Sequence, residues 1–406
     1  MKDSLIIIGA GEEQIRAYKL AKDMGLFVIG TDMNEQAPAF KFADFQLISS
    51  TRSIPETLES LEKLPIFCNI KGVMTIGNDC APTVSAVAEH FSTNAISIKA
   101  ARNASDKSLM KACFAKAGVP SPKYYLVDSK QNLLDIIHEN GFPLVLKPTD
   151  GRGSRGVMLL ENDFDVDFAF DNSLKNSETK QLIVEEFISG DQLSVEGIFV
   201  NRKYHGIAFA DQNYSRLNET KPFIIEDGGV IPSKYEGKIL EEITQCIEQA
   251  SNSLGISEGP VKADIVLNDG QPMIIELAAR LSGNYLASHH LRWAFGIDLV
   301  KAVINYSLGR EIDKNELIPT KQKFLAARYF FPNEGIIESI SGADDVAKDP
   351  RVKKLEIFRK PGDYQPKIEA NIHRAGIVRC LGDSLDEVSR LAEESVKKII
   401  FKLKSE

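Results

Sequence analysis

The chain has 406 residues, of which 43% are hydrophobic and 26% are charged, as in a globular protein with two or three domains. Its net charge of −8 argues against a nucleic-acid-binding protein, which normally presents a basic face. No run approaches the ~20 apolar residues that span a bilayer, and the first apolar run is too short for a secretory signal, so we expect no membrane association.

The first hundred residues alternate predicted strands and helices. Apolar runs at residues 5–8, 27–29 and 72–76 predict strands, and helical periodicity covers residues 12–24 and 81–90. Repeated β-α units of this kind favour a parallel sheet with right-handed crossovers. We therefore predict an α/β, Rossmann-like domain over residues 1–105.

A glycine motif follows the first predicted strand. Gly9-x-Gly11, with Asp32 further along the chain, is typical of a dinucleotide-binding turn. The position of the third glycine is Gln14, however, so helix and strand cannot pack as closely as that motif requires. This difference favours a structural turn over a nicotinamide or flavin site, although an oxidoreductase remains an alternative.

The pattern changes to α+β near residue 105. A charged helix is predicted over residues 106–117 and ends at Gly118, followed by short strands at 124–127, 144–147, 157–160 and 182–187. Alternation over 193–209 and a helix over 234–254 precede two strands, 261–267 and 272–277, joined by a hairpin turn at Asn268-Asp269-Gly270. After Gly309 the tail is rich in predicted strands and ends in a helix over residues 384–401.

A glycine-rich loop follows the strand that ends at Lys147. Its glycines, Gly151, Gly153 and Gly156, would expose backbone N–H groups to phosphate oxygens, and Ser154 adds a hydroxyl group. We see no structural partner for Lys147, and an unpaired buried ammonium group is costly, so a bound anion is expected there. The alternative is a mobile hairpin with a solvated lysine.

Two carboxylates flank the predicted hairpin turn. Asp264 and Glu276 would lie side by side, where they repel each other unless a cation separates them. Oxygen ligands of this kind suit Mg²⁺ bridging nucleotide phosphates, and Arg280 would offer a bidentate fork to a carboxylate or phosphate. Two acids exposed on a half-buried hairpin are the alternative.

The five cysteines are far apart, without a C-x-x-C pair. Such a set indicates reduced thiols and predicts a cytoplasmic protein. The six histidines lack metal-site spacing.

Taken in order, these motifs resemble the ATP-grasp superfamily, and most closely its amino-acid ligase and carbamoyl-phosphate-synthetase-like members. The resemblance implies a Rossmann-like N-terminal domain over residues 1–105 and a central ATP-grasp domain over residues 106–310. A small lid would cover about residues 121–188, and a strand-rich closing domain residues 311–406. It also implies a homodimer.

The same resemblance implies roles for individual residues. Lys107 and Lys147 correspond to the two nucleotide-phosphate lysines, and Arg280 and Lys147 would take part in catalysis. Asp264 and Glu276 match the Mg²⁺ acids, with Mn²⁺ as a substitute, but Ala278 stands where the family has an asparagine. The remaining ATP-binding positions are the loop residues Gly151, Gly153, Ser154 and Gly156, the adenine hinge Glu185, Glu186, Phe187 and Ile188, and the ribose-side pair Asp191 and Gln192.

The implied activity is that of an ATP-dependent carboxylate–amine ligase. It would activate a small carboxylate as an acyl phosphate and join it to a small amine, releasing ADP and phosphate. Alternatives are an ATP-dependent carboxylase of a small amine, which would form carboxyphosphate from bicarbonate, and a non-catalytic ATP-binding protein.

Overall fold

The computed structural model describes residues 1–404, so the last two residues of the predicted C-terminal domain lie outside the described range. The described chain forms four β-sheets together with α-helices, which confirms the predicted mixture of α/β and α+β structure. Between residues 1 and 404, no helix is both long and apolar enough to cross a membrane.

The N-terminal sheet is parallel, with strand order β3-β2-β1-β4. Leu5 and Ile7 of β1 face one hydrophobic core and Ile6 and Ile8 face another, because successive side chains of a strand point to opposite faces. The elements are β1 (Lys2–Ile8), α1 (Ile15–Asp23), β2 (Phe27–Asp32), β3 (Phe45–Ile48), α2 (Ile54–Ser60), β4 (Cys68–Met74), α3 (Ala81–His90) and α4 (Ile98–Ser105).

A small antiparallel sheet follows, with strand order β5-β8-β6-β7. It is entered through a helix that ends at Gly118, as predicted. Asp106 caps its start, and Gly118 has the left-handed conformation. Two further helices pack on the sheet around Leu133 and Phe170. The elements are α5 (Lys107–Ala117), β5 (Tyr124–Val127), α6 (Lys130–Asn140), β6 (Leu144–Pro148), β7 (Met158–Leu160), α7 (Val166–Lys175) and β8 (Leu182–Glu186).

The largest sheet has eight strands in the order β13-β12-β9-β10-β11-β14-β18-β16. Its first five strands precede residue 310 and its last three follow it, so strands from both sides of that residue share one hydrogen-bonded surface. The elements up to β14 are β9 (Asp191–Val200), β10 (Lys203–Asn213), α8 (Leu217–Thr220), β11 (Gly228–Ile231), α9 (Lys238–Leu254), β12 (Gly259–Asn268), β13 (Gln271–Ala278), α10 (Leu291–Ala294), α11 (Leu299–Ser307) and β14 (Phe324–Tyr329).

The C-terminal part adds a three-stranded sheet with the order β17-β15-β19. The elements are β15 (Gly335–Ser341), α12 (Ala343–Ala347), β16 (Val352–Ile357), β17 (Tyr364–Gln365), β18 (Gly376–Gly382), α13 (Leu385–Lys398) and β19 (Ile400–Leu403). The predicted helix over residues 384–401 is wrong at its end. Phe401 belongs to β19 and pairs with Ile340, because the β-branched and aromatic residues there favour a strand once a partner strand is available.

Candidate active site

The two predicted metal acids lie directly opposite each other. Asp269 and Gly270 form a two-residue hairpin loop in which both residues have positive φ angles, 49° and 78°, as a type I′ turn requires. The turn sets the register of β12 and β13 as far as Ile265 and Ile274. A β-bulge at Ile275 then shifts the register by one residue, so that Asp264 pairs with Glu276. Both residues line one large cavity, so the predicted side-by-side placement is confirmed.

Each acid has a lysine beside it. Lys107 Nζ lies 3.1 Å from Glu276 Oε1, and Lys262 forms an ion pair with Asp264. Burial works against the charge of Glu276, but Lys107 and Lys262 lower its pKa to about 2. Burial also disfavours the charge of Lys107, yet Glu276 raises its pKa. Both groups are therefore charged at neutral pH.

The pair suits a divalent ion that is shared with nucleotide phosphates. Across residues 1–404 there is no group of three or more His, Cys, Asp or Glu residues that could hold a metal ion alone. Ala278, where the resemblance implies an asparagine, lies opposite Lys262 on the neighbouring strand and supplies no oxygen ligand. Asp264 and Glu276, each paired with a lysine, would hold Mg²⁺ together with phosphate oxygens and water, which are its usual further ligands.

A buried cluster of three charges lies at the junction of α5 and the small sheet. Lys147 Nζ is 2.8 Å from Glu185 Oε1, and Lys111 Nζ is 3.4 Å from Glu185 Oε2. Burial lowers the pKa of Lys111 to about 8, although Glu185 opposes the shift. The expectation that Lys147 lacks a structural partner was wrong, because Glu185 comes from a strand whose pairing the sequence does not reveal.

The residues implied as an adenine hinge leave the small sheet at the end of β8. Glu186 points outward and pairs with Lys123 at 3.3 Å. Phe187 N–H donates to the Pro143 carbonyl at 3.2 Å, whereas the Ile188 N–H group has no backbone acceptor in the described chain. The free Ile188 donor is what the predicted contact with a nucleotide base requires.

The ribose-side pair occupies opposite faces of β9. Gln192 shares its face with Ser194, a cavity-lining residue, because alternate residues of a strand point the same way. Asp191 points to the other face, where Lys234 Nζ lies 2.6 Å away and Tyr235 donates a hydrogen bond to the carboxylate. The strand thus brings Gln192, and not Asp191, to the cavity face.

The glycine-rich loop connects β6 and β7. Gly153, Ser154 and Gly156 have φ angles of 59°, 59° and 69°, in the left-handed region that glycine adopts most easily. Asp150 anchors the loop by accepting hydrogen bonds from Ser177 Oγ and from the backbone N–H groups of residues 178 and 179, at 2.8–2.9 Å. These bonds lower the pKa of Asp150 even though its burial opposes that shift.

Arg280 lies at the boundary with the N-terminal domain. Its Nε and Nη2 atoms are 2.7 and 2.6 Å from Asp79 Oδ1, a partner that the sequence did not indicate. The chain just beyond it is tied to the same domain by a hydrogen bond from Gly77 N–H to the Leu281 carbonyl, at 3.0 Å. Arg280 is therefore held in a fixed position on the cavity wall.

A buried carboxylate supports the chain after Arg280. Glu196 accepts hydrogen bonds from the Ser282 backbone N–H group, at 3.0 Å, and from its hydroxyl group. Burial raises the pKa of Glu196 to about 7. Sequence reasoning missed this residue because a single glutamate in a strand carries no motif.

A protein side chain occupies the space beside the N-terminal glycine motif. Gln14 donates a hydrogen bond from its side chain to the Ile76 carbonyl, and its Oε1 atom lies 2.8 Å from where a Cβ atom on Gly11 would stand. Asp32 accepts a hydrogen bond from Ala10 N–H at 2.8 Å. The Gln14 side chain occupies the space beside the turn, which supports the structural interpretation over a dinucleotide site.

A cavity of about 490 Å³ is lined by Asp264, Glu276, Arg280 and the loop residues Gly153 and Ser154. Lys107 and Gly151 line an adjoining cavity that shares Glu276 and Arg280, whereas Lys147 and the hinge residues line neither. One end holds the glycine-rich loop, Asp264, Glu276 and Arg280. Towards the other end, the large sheet and its C-terminal strands supply an apolar floor formed by Ile231, Leu325, Ala327 and Ile377, which share one face of the sheet. Glu226, His290 and Tyr329 line the cavity as well, so it offers ionic, polar and apolar groups to a substrate.

Comparison with known protein families assigns residues 104–284 to the family described as "ATP-grasp domain". The chain contains an ATP-grasp domain. Residues 328–404 match a second family, "L-amino acid ligase C-terminal domain 2". The ATP-grasp domain therefore carries the Lys107, Lys147, Asp264, Glu276 and Arg280 positions, and the second domain carries the strands behind the apolar floor.

Individual relatives are distant. Alanine–anticapsin ligase of Bacillus subtilis is 24% identical over 302 residues, which cover 68% of this chain and 62% of that protein. The structure of an L-amino acid ligase from Bacillus licheniformis superposes with a TM-score of 0.82 at 19% identity, covering 100% of this chain and 99% of that one. N5-carboxyaminoimidazole ribonucleotide synthetase from Thermotoga maritima gives a TM-score of 0.73 at 17% identity over the full length of both chains. These structures share the ATP-grasp fold with the chain.

Proposed function

We propose that the chain is an ATP-dependent carboxylate–amine ligase that forms an amide bond through an acyl phosphate. The observation that carries the proposal is the cavity in which Arg280, the acid pair and the glycine-rich loop converge, with Lys107 bound to Glu276 from an adjoining cavity. The L-amino acid ligase domain and the relative that ligates alanine favour an amino acid as one substrate. ADP and phosphate would be the other products.

The charges explain how such a site would work. Attack of a carboxylate on the γ-phosphate brings two anions together, and a preorganised set of cations offsets their repulsion. Lys107 and Lys147 would hold phosphate oxygens, and Arg280, kept in place by Asp79, would hold the carboxylate. A Mg²⁺ ion held by Asp264 and Glu276 would neutralise phosphate charge.

The reactive intermediate needs protection from water. The glycine-rich loop would cover the phosphates. On its other side, the C-terminal domain contacts this loop, because Asn371 N–H donates a hydrogen bond to the Gly153 carbonyl at 3.1 Å. No nucleophilic side chain is required, since the acid substrate itself attacks ATP.

The C-terminal domain favours this function over a carboxylase, because residues 328–404 match the L-amino acid ligase C-terminal domain 2. If bicarbonate alone stimulated ATP hydrolysis, the carboxylase alternative would be favoured instead.

The test is a screen of ADP release with pairs of carboxylic acids and amines, beginning with the twenty L-amino acids. Productive pairs should also yield an acyl hydroxamate when hydroxylamine replaces the amine, because hydroxylamine traps acyl phosphates. Tight ATP binding without ADP release in any pair would contradict the proposal and favour a non-catalytic ATP-binding protein.

A further inference from the structure

The N-terminal glycine motif places the carboxylate of Glu13 in the cavity. The proposed reaction gives this carboxylate no role. Glu13 directly precedes Gln14 and lines the cavity. Its Oε1 atom accepts a hydrogen bond from the Asn284 backbone N–H group at 2.7 Å. Within residues 1–404, its Oε2 atom has neither a hydrogen-bond nor an ion-pair partner.

Glycines make room for this carboxylate. A Cβ atom on Gly283 would stand 2.9 Å from Glu13 Oε2, and one on Gly77 would stand closer still. The turn that presents the Asn284 N–H group contains two successive residues in the left-handed region, Asn284 and Tyr285, with φ angles of 55° and 64°. Residues other than glycine rarely adopt such angles, and they concentrate at ligand-binding sites.

In the described part of the chain, Glu13 has no cation of its own. Burial raises its pKa despite the hydrogen bond from Asn284. The charged or titratable groups that face it are Arg280, Arg379, Glu356, Tyr285 and Tyr329.

The two arginines already have other partners. Arg280 is paired with Asp79, whereas Arg379 pairs with Glu356 and donates to His290 Nε2 at 3.0 Å. A cationic ligand would therefore satisfy Glu13 better than the surrounding protein does.

Glu226, the other carboxylate of the cavity to which the proposed function gives no role, is in a different situation. Burial also raises the pKa of Glu226, but the guanidinium group of Arg374 lies 3.9 Å from its Oε2 atom and donates a hydrogen bond to its backbone carbonyl at 3.1 Å. Glu226 thus has a protein cation nearby. Of the two carboxylates, Glu13 is the one that is left for a ligand.

We infer that Glu13 binds the ammonium group of the amine substrate and accepts its proton as the amine attacks the acyl phosphate. This inference rests on the proposed function. The ammonium group gives one proton to Glu13, and its nitrogen forms a bond to the acyl carbon. The bond from that carbon to the phosphate oxygen breaks, and the second proton leaves with phosphate as hydrogen phosphate. Glu13 then returns its proton to solvent, and the acceptor class is a primary amine that arrives protonated.

Glu13→Gln separates this role from a structural one. Glutamine keeps the size and the acceptor for Asn284 N–H but loses the charge and the basic site. The probes are the twenty L-amino acids with ATP, with and without hydroxylamine, and the products are counted by mass spectrometry. Hydroxylamine is largely uncharged at neutral pH and needs no base, so the ratio of amide to hydroxamate should fall about 100-fold.

Two further variants complete the test. Glu12→Gln changes the exposed neighbour and should leave the ratio unchanged. Gly283→Ala should lower the ratio in the same direction, because its Cβ atom would displace the Glu13 carboxylate while the backbone at Gly283 is not left-handed. Amide formation in the wild type should also rise with pH through the titration of Glu13, and this limb should be absent from Glu13→Gln.

The outcomes distinguish the two proposals. An unchanged ratio in Glu13→Gln, or an equal loss of both products, would overturn the role of Glu13 while leaving the ligase function in place. Absence of any hydroxamate with wild-type protein would overturn the ligase function, and this inference with it.

Discussion

Lys147 Nζ lies 2.8 Å from Glu185 Oε1, and both side chains are buried. Lys111 approaches the same carboxylate from the other side. One negative and two positive charges leave this cluster with one unbalanced positive charge at neutral pH. The surplus lies close to Glu276, whose pKa Lys147 helps to lower, and it prepares the site for an anionic nucleotide.

Glu185→Gln should destabilise the protein by about 3–5 kcal/mol, because it leaves two buried lysines without a counter-charge. The free energy of unfolding is measured by urea titration. Glu186→Gln is the matched control, since its partner Lys123 is exposed and such surface pairs contribute only about 0–1 kcal/mol. Equal stability of the two variants would contradict the structural role of the cluster.

Lys147→Met should weaken ATP binding about ten- to a hundredfold, the effect of losing one charge-assisted contact of roughly 1.5–3 kcal/mol, and abolish ATP turnover. Glu185 retains Lys111 in this variant, so the fold should persist. Calorimetric titration with ATP measures the affinity. Lys123→Met, in the exposed part of the same sheet, serves as the control, and wild-type affinity in folded Lys147→Met would remove this lysine from the site.

Asp264→Asn and Glu276→Gln should each weaken Mn²⁺ binding in the presence of ADP, because each removes one of the two carboxylates proposed as metal ligands. The loss of the free Mn²⁺ signal in electron paramagnetic resonance measures binding without requiring turnover. Asp269→Asn changes the acid in the β12–β13 turn and should bind Mn²⁺ like the wild type. Unaltered binding in both site variants would place the metal elsewhere.

Glu196 should make stability fall as pH rises. Its folded-state pKa of about 7 exceeds the ordinary value of 4.5, so the folded protein binds the proton more tightly than the unfolded chain between these two values. This contribution is fully present below pH 4.5 and is lost as pH rises to about 7, by up to about 3 kcal/mol.

Glu196→Gln removes that titration. The free energy of unfolding of the variant minus that of the wild type should therefore be larger at pH 8 than at pH 5. Carboxylates common to both proteins cancel in this difference. Urea denaturation at both pH values measures it, with Glu62→Gln on an exposed position as the control. If this difference in the free energy of unfolding is the same at pH 5 and pH 8, the pKa of Glu196 does not change on folding.

The sequence predicted the parts of the site that depend on local patterns. The hairpin turn brings the strands that carry Asp264 and Glu276 side by side, so the proximity of the two acids follows from the Asp269-Gly270 turn. Their direct pairing also requires the β-bulge at Ile275, which the sequence did not indicate. The glycine-rich loop and Lys147 are recognisable because they are adjacent in the chain.

Partners that are far apart in the chain could not be predicted. Asp79 and Arg280 are separated by 201 positions, and Glu13 and Asn284 by 271. Hydrophobic periodicity gives the type of each element but not which elements meet. The end of α13 was wrong for the same reason, because Phe401 becomes part of a strand only through its pairing with Ile340.

The continuous eight-stranded sheet fixes the distance between the metal acids and the apolar floor of the cavity. Asp264 on β12 and the floor residue Leu325 on β14 belong to strands four spacings apart, or about 19 Å along the sheet at ~4.8 Å per strand. That separation cannot change without breaking the hydrogen bonds between strands. Acceptance of a longer or shorter acid therefore requires substitutions among the floor side chains. A chimera with a C-terminal domain from another protein must also preserve the pairing of β11 with β14.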